Sequence, residues 1–240
     1  MSVAVPILCY HSVAAAAPSG FREWTIDPAR FREHLEVIAS RGARTPTVSE
    51  YAATLEADFP VANTVVLTFD DGFADFSTNV APLLVEFDMR ATLYVTTGFL
   101  GREPEWLPQE ARAPMLSSRA ISDLPDANVE IGAHAQCHPE LDVIPRDAAR
   151  AEIEGSKRAL EDILGRPVAS FAYPFGYHNR AVRQQVVDAG FTSACAVKQA
   201  LSGPGDDIFA LARVLIPGDL TADDLARVLD AATVGRARAG

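Results

Sequence analysis

Apolar, β-rich runs alternate with helix-period segments along nearly all of the 240 residues, and this alternation restricts the fold more than any other feature. Strands joined by helical crossovers make a parallel sheet covered by helices. Val3 to Cys9 reads as the first strand. Asp27-Pro28 opens a helix, with the carboxylate as N-cap and proline at the first helical position. Phe31, Leu35 and Ile38 form its inward stripe, and Gly42 closes it. Thr64 to Phe69 is too apolar to be half exposed, so it is expected at the centre of the sheet.

The pattern continues with a helix over Ala74 to Phe87, a strand over Ala91 to Thr96 and a short strand from Val129 to Ile131 ahead of Gly132. A helix over Arg146 to Leu164 buries Ile153, Leu160 and Leu164 and ends at Gly165, with Pro167 just beyond. Strands near Val168 to Ala172 and Phe191 to Val197 flank a helix carrying Val182 and Val186. A last strand (Phe209 to Ile216) and helix (Ala222 to Ala231) precede a tail, Arg236 to Gly240, that reads as frayed. Gly98 to Pro114, broken by Pro104, Pro108 and Pro114, reads as a long loop at a strand end. With no linker or repeat, residues 1–240 read as one domain, a parallel α/β barrel or open sheet, with ligands expected at the C-terminal ends of the strands.

Composition narrows the partners. Hydrophobic residues at 48% provide a substantial core, and 21 Lys+Arg against 32 Asp+Glu give a net charge of -11. That surface repels nucleic-acid phosphates and anionic lipid, so neither is an expected partner. The first ten residues carry no basic segment and too short an apolar run for membrane insertion, so the chain as it stands reads as cytoplasmic. A chain trimmed at its start would read the same, and a secreted or periplasmic setting is then compatible. Cys9, Cys137 and Cys195 form no disulfide framework and read as small buried side chains.

Three clusters carry chemistry. Asp70-Asp71 follows a buried strand and precedes Gly72, where both carboxylates can reach one site; the same pair also suits an acidic turn capping a helix. His134 and His138 follow another strand, and Pro139 favours a loop over a helix at His138. One carboxylate and two imidazoles make a three-ligand set that leaves positions open for water and substrate. The second aspartate is then free to take a proton from water. Phe171-Ala-Tyr-Pro-Phe-Gly176, also after a strand, by itself reads as a Pro/Gly turn with aromatic packing.

In this order, Thr68-Phe-Asp-Asp-Gly72, His134-x3-His138-Pro139 and Tyr173-Pro-Phe-Gly176 resemble the successive motifs of the polysaccharide deacetylase (NodB-homology, carbohydrate esterase 4) family. The resemblance runs from about Pro6 to Ile216. It implies a distorted parallel (β/α) barrel, one divalent ion such as Zn²⁺, and removal of N-acetyl groups from amino sugars in a poly-, oligo- or carrier-linked saccharide. Carried over by residue, Asp70 is the general base, and Asp71, His134 and His138 hold the metal. Phe175 offers a backbone N–H to the oxyanion, with Tyr173 and Pro174 beside the substrate. Trp106, in the long loop, is placed either to stack on a sugar ring or to pack on its own domain.

Three positions depart from the family pattern. Ala172 stands where an arginine usually orients the base. Ala135 replaces the usual Ser or Thr, and Leu211-Ala-Arg213 stands where a late histidine usually serves as the acid. Cys9-Tyr10-His11 resembles the opening of the poly-N-acetylglucosamine deacetylase branch, whose motifs are circularly shifted, and this implies His11 as the acid. The departures keep two other readings open: a non-catalytic carbohydrate-binding descendant, and a hydrolase of a small non-sugar amide. A non-haem iron oxygenase with a two-histidine, one-carboxylate triad is a further class, although it leaves Asp70 and the third motif unused.

Overall fold

The computed structural model describes residues 4–57 and 62–234. The chain opens with β1 (Ile7–Tyr10), then a small parallel pair, β2 (Ser12–Val13) and β3 (Thr25–Ile26), around a 3₁₀ turn at Ser19–Trp24. α1 (Pro28–Ser40) starts where Asp27 accepts a hydrogen bond from the Ala29 N–H at 2.8 Å, and it buries Phe31, Leu35 and Ile38 as expected. α2 (Val48–Glu56) is closed at its start by a reciprocal capping box between Thr47 and Glu50. β4 (Val66–Phe69), α3 (Ala81–Glu86), β5 (Ala91–Val95), α4 (Ser118–Ser122), β6 (Val129–Ala133), α5 (Arg146–Leu164), β7 (Ser170–Ala172), α6 (Arg180–Asp188), β8 (Ser193–Cys195), β9 (Val214–Leu215) and α7 (Ala222–Val234) follow.

The seven-stranded sheet runs β8-β7-β6-β5-β4-β1-β9, and every pairing in it is parallel. β4 is therefore interior, flanked by β5 and β1 and one place from the middle of the sheet, in keeping with its apolar sequence. Between the edge strands, Leu211 makes an isolated parallel bridge to Cys195, reinforced by Ala196 N–H donating to Leu211 O at 2.9 Å. The sheet thus curls into an incomplete, distorted (β/α) barrel whose seam is drawn together by the segment preceding β9.

Alternation along the strands creates two cores. Leu8, Tyr10, Leu67, Phe69, Leu93, Val95, Ile131 and Phe171 face outward into the main core under the helices. Ile7, Val66, Tyr94, Ala172 and Cys195 face inward with Leu211. α2 closes the end of the barrel away from the motifs: Val48 and Tyr51 enter the inner core, and the Val48 N–H donates to Thr92 Oγ1 at 2.9 Å. Fully burying each such side chain stabilises the fold by roughly 1.5–3 kcal/mol.

Several elements differ from the sequence expectation. The helix expected over 74–87 divides into a π-helical stretch, Phe76–Val80, and α3. The Ala81 N–H reaches back five residues to Phe76 O, because Pro82 has no N–H to continue the regular ladder. The final strand shrinks from eight residues to two, since 208–213 crosses the seam to reach β1. Cys137 is exposed rather than buried, at the outer face of a loop. Val3 and the Arg236 to Gly240 tail lie outside the described residues. Among the described residues no helix is long and apolar enough to cross a membrane.

Candidate active site

The three motifs and His11 come together at the C-terminal ends of the strands. A cavity of about 260 Å³ has Asp70, Asp71, His134 and His138 on its floor with His11 beside them. Phe21, Trp24, Trp106, Leu107 and Tyr177 form much of its wall. A larger groove of about 670 Å³, between Ala39 and Arg90, is lined by no histidine or cysteine.

Local backbone conformation explains how adjacent residues share this floor. Asp71 (φ 73°), Ala135 (φ 61°), His138 (φ 58°) and Phe175 (φ 58°) all adopt left-handed conformations, four of the seven non-glycine residues with positive φ in the described chain. Such geometry costs about 1–3 kcal/mol per residue and gathers where surrounding contacts enforce it. At Asp71 it turns the second carboxylate back toward the cavity after β4, instead of letting it alternate away from Asp70. At His138 it brings the second imidazole toward the first without a helix.

His134 is oriented by its other nitrogen: Nδ1 lies 2.7 Å from Ala172 O, so Nδ1–H donates and Nε2 keeps its lone pair for the cavity. Nε2 of His134 lies 3.6 Å from Asp71 Oδ1, and Nε2 of His138 lies 3.4 Å from the same oxygen. Ligand bonds of about 2.0–2.1 Å around a tetrahedral ion imply donor separations of about 3.3–3.4 Å, so these donors suit such an ion with little movement. The three donor atoms lie within 4.8 Å of one another. His138 Nδ1, by contrast, is buried without a hydrogen-bond partner. Packing holds this ring: Trp106 stacks on it at 4.8 Å and 18°, and Phe175 meets it edge-on at 4.5 Å.

The electrostatics favour the same division of roles. Burial lowers the pKa of both His134 and His138, leaving neutral imidazoles fit for ligation. Burial, reinforced by neighbouring Asp70, raises Asp71 well above the ordinary carboxylate range. Burial would raise Asp70 too, but Arg213 and then His134 outweigh it and hold that carboxyl below its usual range. The cost of charging Asp71 beside ionised Asp70 is one that a cation bound at Asp71 would offset.

Arg213 is the functional residue that the motif reading missed. Fully buried, it forks onto Asp70, with Nη1 2.6 Å from Oδ1 and Nη2 2.7 Å from Oδ2. Its Nε donates to Ala196 O at 3.0 Å, and the guanidinium lies over the Tyr94 ring at 5.7 Å. The position read from sequence as a lost histidine thus supplies a buried arginine paired with Asp70, while Ala172 stands where the family pattern places one. Ala172 contributes through its carbonyl instead. Cys9 also reaches this site, its Sγ 3.6 Å from Asp70 Oδ2.

His11 has a nitrogen within 4.8 Å of Asp70 and Cys9 donor atoms, and its Nδ1 is buried without a partner. Burial pushes its pKa down to about 4 against the pull of Asp70. Phe175 lines the cavity. The side chains of Tyr173 and Pro174 do not line it: Tyr173 points into the outer core, donates through its hydroxyl to Phe209 O at 2.9 Å and stacks on His178. They support the turn that presents Phe175, which corrects the expectation that all three stand beside the substrate.

A parallel (β/α) barrel with a carboxylate-histidine cluster at its strand ends defines the class. The model of the polysaccharide deacetylase family matches residues 60–194, and the chain belongs to that family. It is similar to a putative polysaccharide deacetylase, YxkH, of Bacillus subtilis, at 22% identity over 216 residues, covering 89% of this chain and 72% of the relative. Among solved structures, the Streptococcus pyogenes deacetylase PplD in complex with acetate superposes with a TM-score of 0.82 at 23% identity, covering 95% of this chain and 98% of that one. IcaB from Ammonifex degensii gives 0.81 at 22% identity, covering 94% and 96%.

Proposed function

We propose that this chain is a metal-dependent deacetylase that hydrolyses the N-acetyl amide of an amino sugar in a saccharide. The observation that carries the reading is the separation of two sets of groups in one cavity. Asp71, His134 and His138 gather for an ion, while Arg213 holds Asp70 beside them without requiring it as a ligand. A divalent ion such as Zn²⁺, bound by that trio, would polarise the acetyl carbonyl and acidify water.

The chain's own residues account for the proton movements. Asp70, kept ionised by Arg213, takes a proton from water as its oxygen bonds to the carbonyl carbon. The Phe175 N–H donates to the oxygen that gains charge, where such donors matter most. The C–N bond breaks as His11 protonates the departing nitrogen, giving a free amine and acetate. Because burial keeps His11 neutral at rest, its proton arrives during the cycle, and Asp70, newly protonated and within 4.8 Å, is the source that the cycle itself supplies. The aromatic wall suits the apolar face of a sugar ring.

The test separates the two aspartates. Asp70→Asn should abolish release of acetate from an N-acetylated chitooligosaccharide or poly-N-acetylglucosamine fragment yet retain stoichiometric metal after dialysis. Asp71→Asn, His134→Ala and His138→Ala should lose the metal itself. Full metal retention by both histidine variants would sink the ligand assignment. Wild-type protein loaded with zinc but inert on every N-acetylated saccharide would point instead to a different amide or to binding alone.

A further inference from the structure

The loop between the two histidines is held by a residue that no motif includes. Glu152 lies on α5, and one oxygen of its carboxylate, Oε2, accepts hydrogen bonds from both the Gln136 N–H at 2.8 Å and the Cys137 N–H at 2.7 Å. Among the described residues no Lys or Arg forms an ion pair with it within 4.0 Å. These two donors lie between Ala135 and His138, the two left-handed residues of the loop. Successive N–H groups converging on one anion form a concave nest, and charged acceptors make such bonds about twice as strong as neutral ones.

The same loop is gripped at other points. The Gln136 side chain donates to Ala151 O at 3.0 Å and lies over Gly155, where a Cβ would meet its Cδ at 2.4 Å. On the opposite side, Gly98 N–H donates to Gln136 O at 2.7 Å, and a Cβ there would come within 2.6 Å of that oxygen. Two glycines far apart in sequence thus leave room for one residue, Gly155 for the Gln136 side chain and Gly98 for its carbonyl. α5 itself is anchored elsewhere, through buried Ala149, Ile153, Ser156 and Leu160.

We propose that Glu152 is a positioning residue for the metal site, its charge holding the 135–138 loop in the strained form that places His138 Nε2 beside Asp71. This inference rests on the metal-site reading above. His138 depends on such support because its Nδ1 has no hydrogen-bond partner to fix the ring. Glu152→Gln keeps the shape and one acceptor oxygen but removes the charge that serves two donors.

The experiment uses full-length protein stripped of metal and reloaded. Zinc affinity is measured by competition with a chromophoric chelator, and the Co²⁺ form reports ligand geometry through its visible d–d spectrum. Glu152→Gln should weaken zinc binding by about 10- to 100-fold, the usual effect of losing outer support for a ligand. It should also alter the cobalt spectrum and speed hydrogen exchange at the Gln136 and Cys137 amides, while the metal-free unfolding midpoint stays near wild type. Gly155→Ala, which displaces the Gln136 side chain from the same helix, should move affinity in the same direction. Glu154→Gln, on the same helix but paired with Arg158, should change neither affinity nor spectrum. Wild-type affinity and an unchanged cobalt spectrum in Glu152→Gln would overturn the proposal while leaving the metal site intact. Failure of the wild-type protein itself to bind zinc or cobalt would overturn both.

Discussion

A carboxylate taken out of water is tolerable only when paired, and Asp70 is almost wholly buried. Arg213 meets that need and also aims the carboxylate, because the planar fork matches both oxygens at once. Arg213→Lys keeps the charge and loses the fork. It should retain metal while lowering kcat by about 10²-fold, the order of a misplaced catalytic group; wild-type kcat would show that the fork has no role in aiming the base. Arg213→Met removes the charge and should destabilise the fold by about 3–5 kcal/mol in urea unfolding, since Asp70 is left unpaired. His11 is tested by leaving-group chemistry. His11→Ala should lose about 10²–10⁴ in turnover of an amide and much less on an activated phenyl ester. Equal losses on both would make it a structural or substrate-binding residue. The hint of Arg213 was visible as one charge in the otherwise apolar run Phe209 to Ile216, since such a residue is rarely buried unpaired. Its partner was not visible, because 143 positions separate Arg213 from Asp70 and only barrel closure brings them together.

Among the elements, strands and long helices were the legible part. α5 begins at Arg146 and ends at Leu164 with left-handed Gly165 beyond, as periodicity and punctuation indicate. α2 escaped that reading although Thr47-Val-Ser-Glu50 has the spacing of a capping box; its inward stripe of Val48, Tyr51, Ala52 and Leu55 spans only about two turns, too short for periodicity to separate it from a loop. The paths of the motif loops were not legible either, because left-handed Asp71, Ala135, His138 and Phe175 are imposed by tertiary contacts and not by their own preferences. The long loop after β5 is such a contact. It carries Trp106, whose face covers the His138 ring, so its tryptophan serves the domain's own site whether or not a sugar also touches it. Trp106→Ala should reduce zinc affinity by about tenfold, within the range for lost outer support, with little change in the unfolding midpoint. Unchanged affinity together with a raised KM would assign Trp106 to substrate alone.

Barrel closure joins the site to the stability of the whole molecule. The segment that crosses the seam carries Arg213, and the chain beyond β9 is tied back to β1 through α1. His34 on α1 makes that tie: Nε2 lies 3.0 Å from Leu220 O, and Nδ1 lies 3.1 Å from the hydroxyl of Tyr10, the last residue of β1. A neutral ring satisfies both, donating from Nε2–H to the carbonyl and accepting the tyrosine proton at Nδ1. Burial pushes His34 from 6.5 down to about 4, assisted by the charge of nearby Arg30 and opposed by the Leu220 carbonyl. Below about pH 6.5 the unfolded chain gains a proton at this imidazole that the folded chain refuses, so folding stability falls as pH drops. The contribution is complete above pH 6.5 and is lost progressively as pH falls through 4, with a ceiling of about 3 kcal/mol. Other buried histidines add slopes of the same sign, so the informative quantity is a difference. Urea unfolding at pH 4.5, 5.5 and 7 should show a shallower decline in His34→Gln than in wild type, because glutamine can donate and accept without titrating. The wild-type advantage should therefore narrow or reverse toward acid. Parallel stability curves for the two proteins would mean that His34 takes up its proton without penalty, with Tyr10 turning from donor to acceptor at the seam.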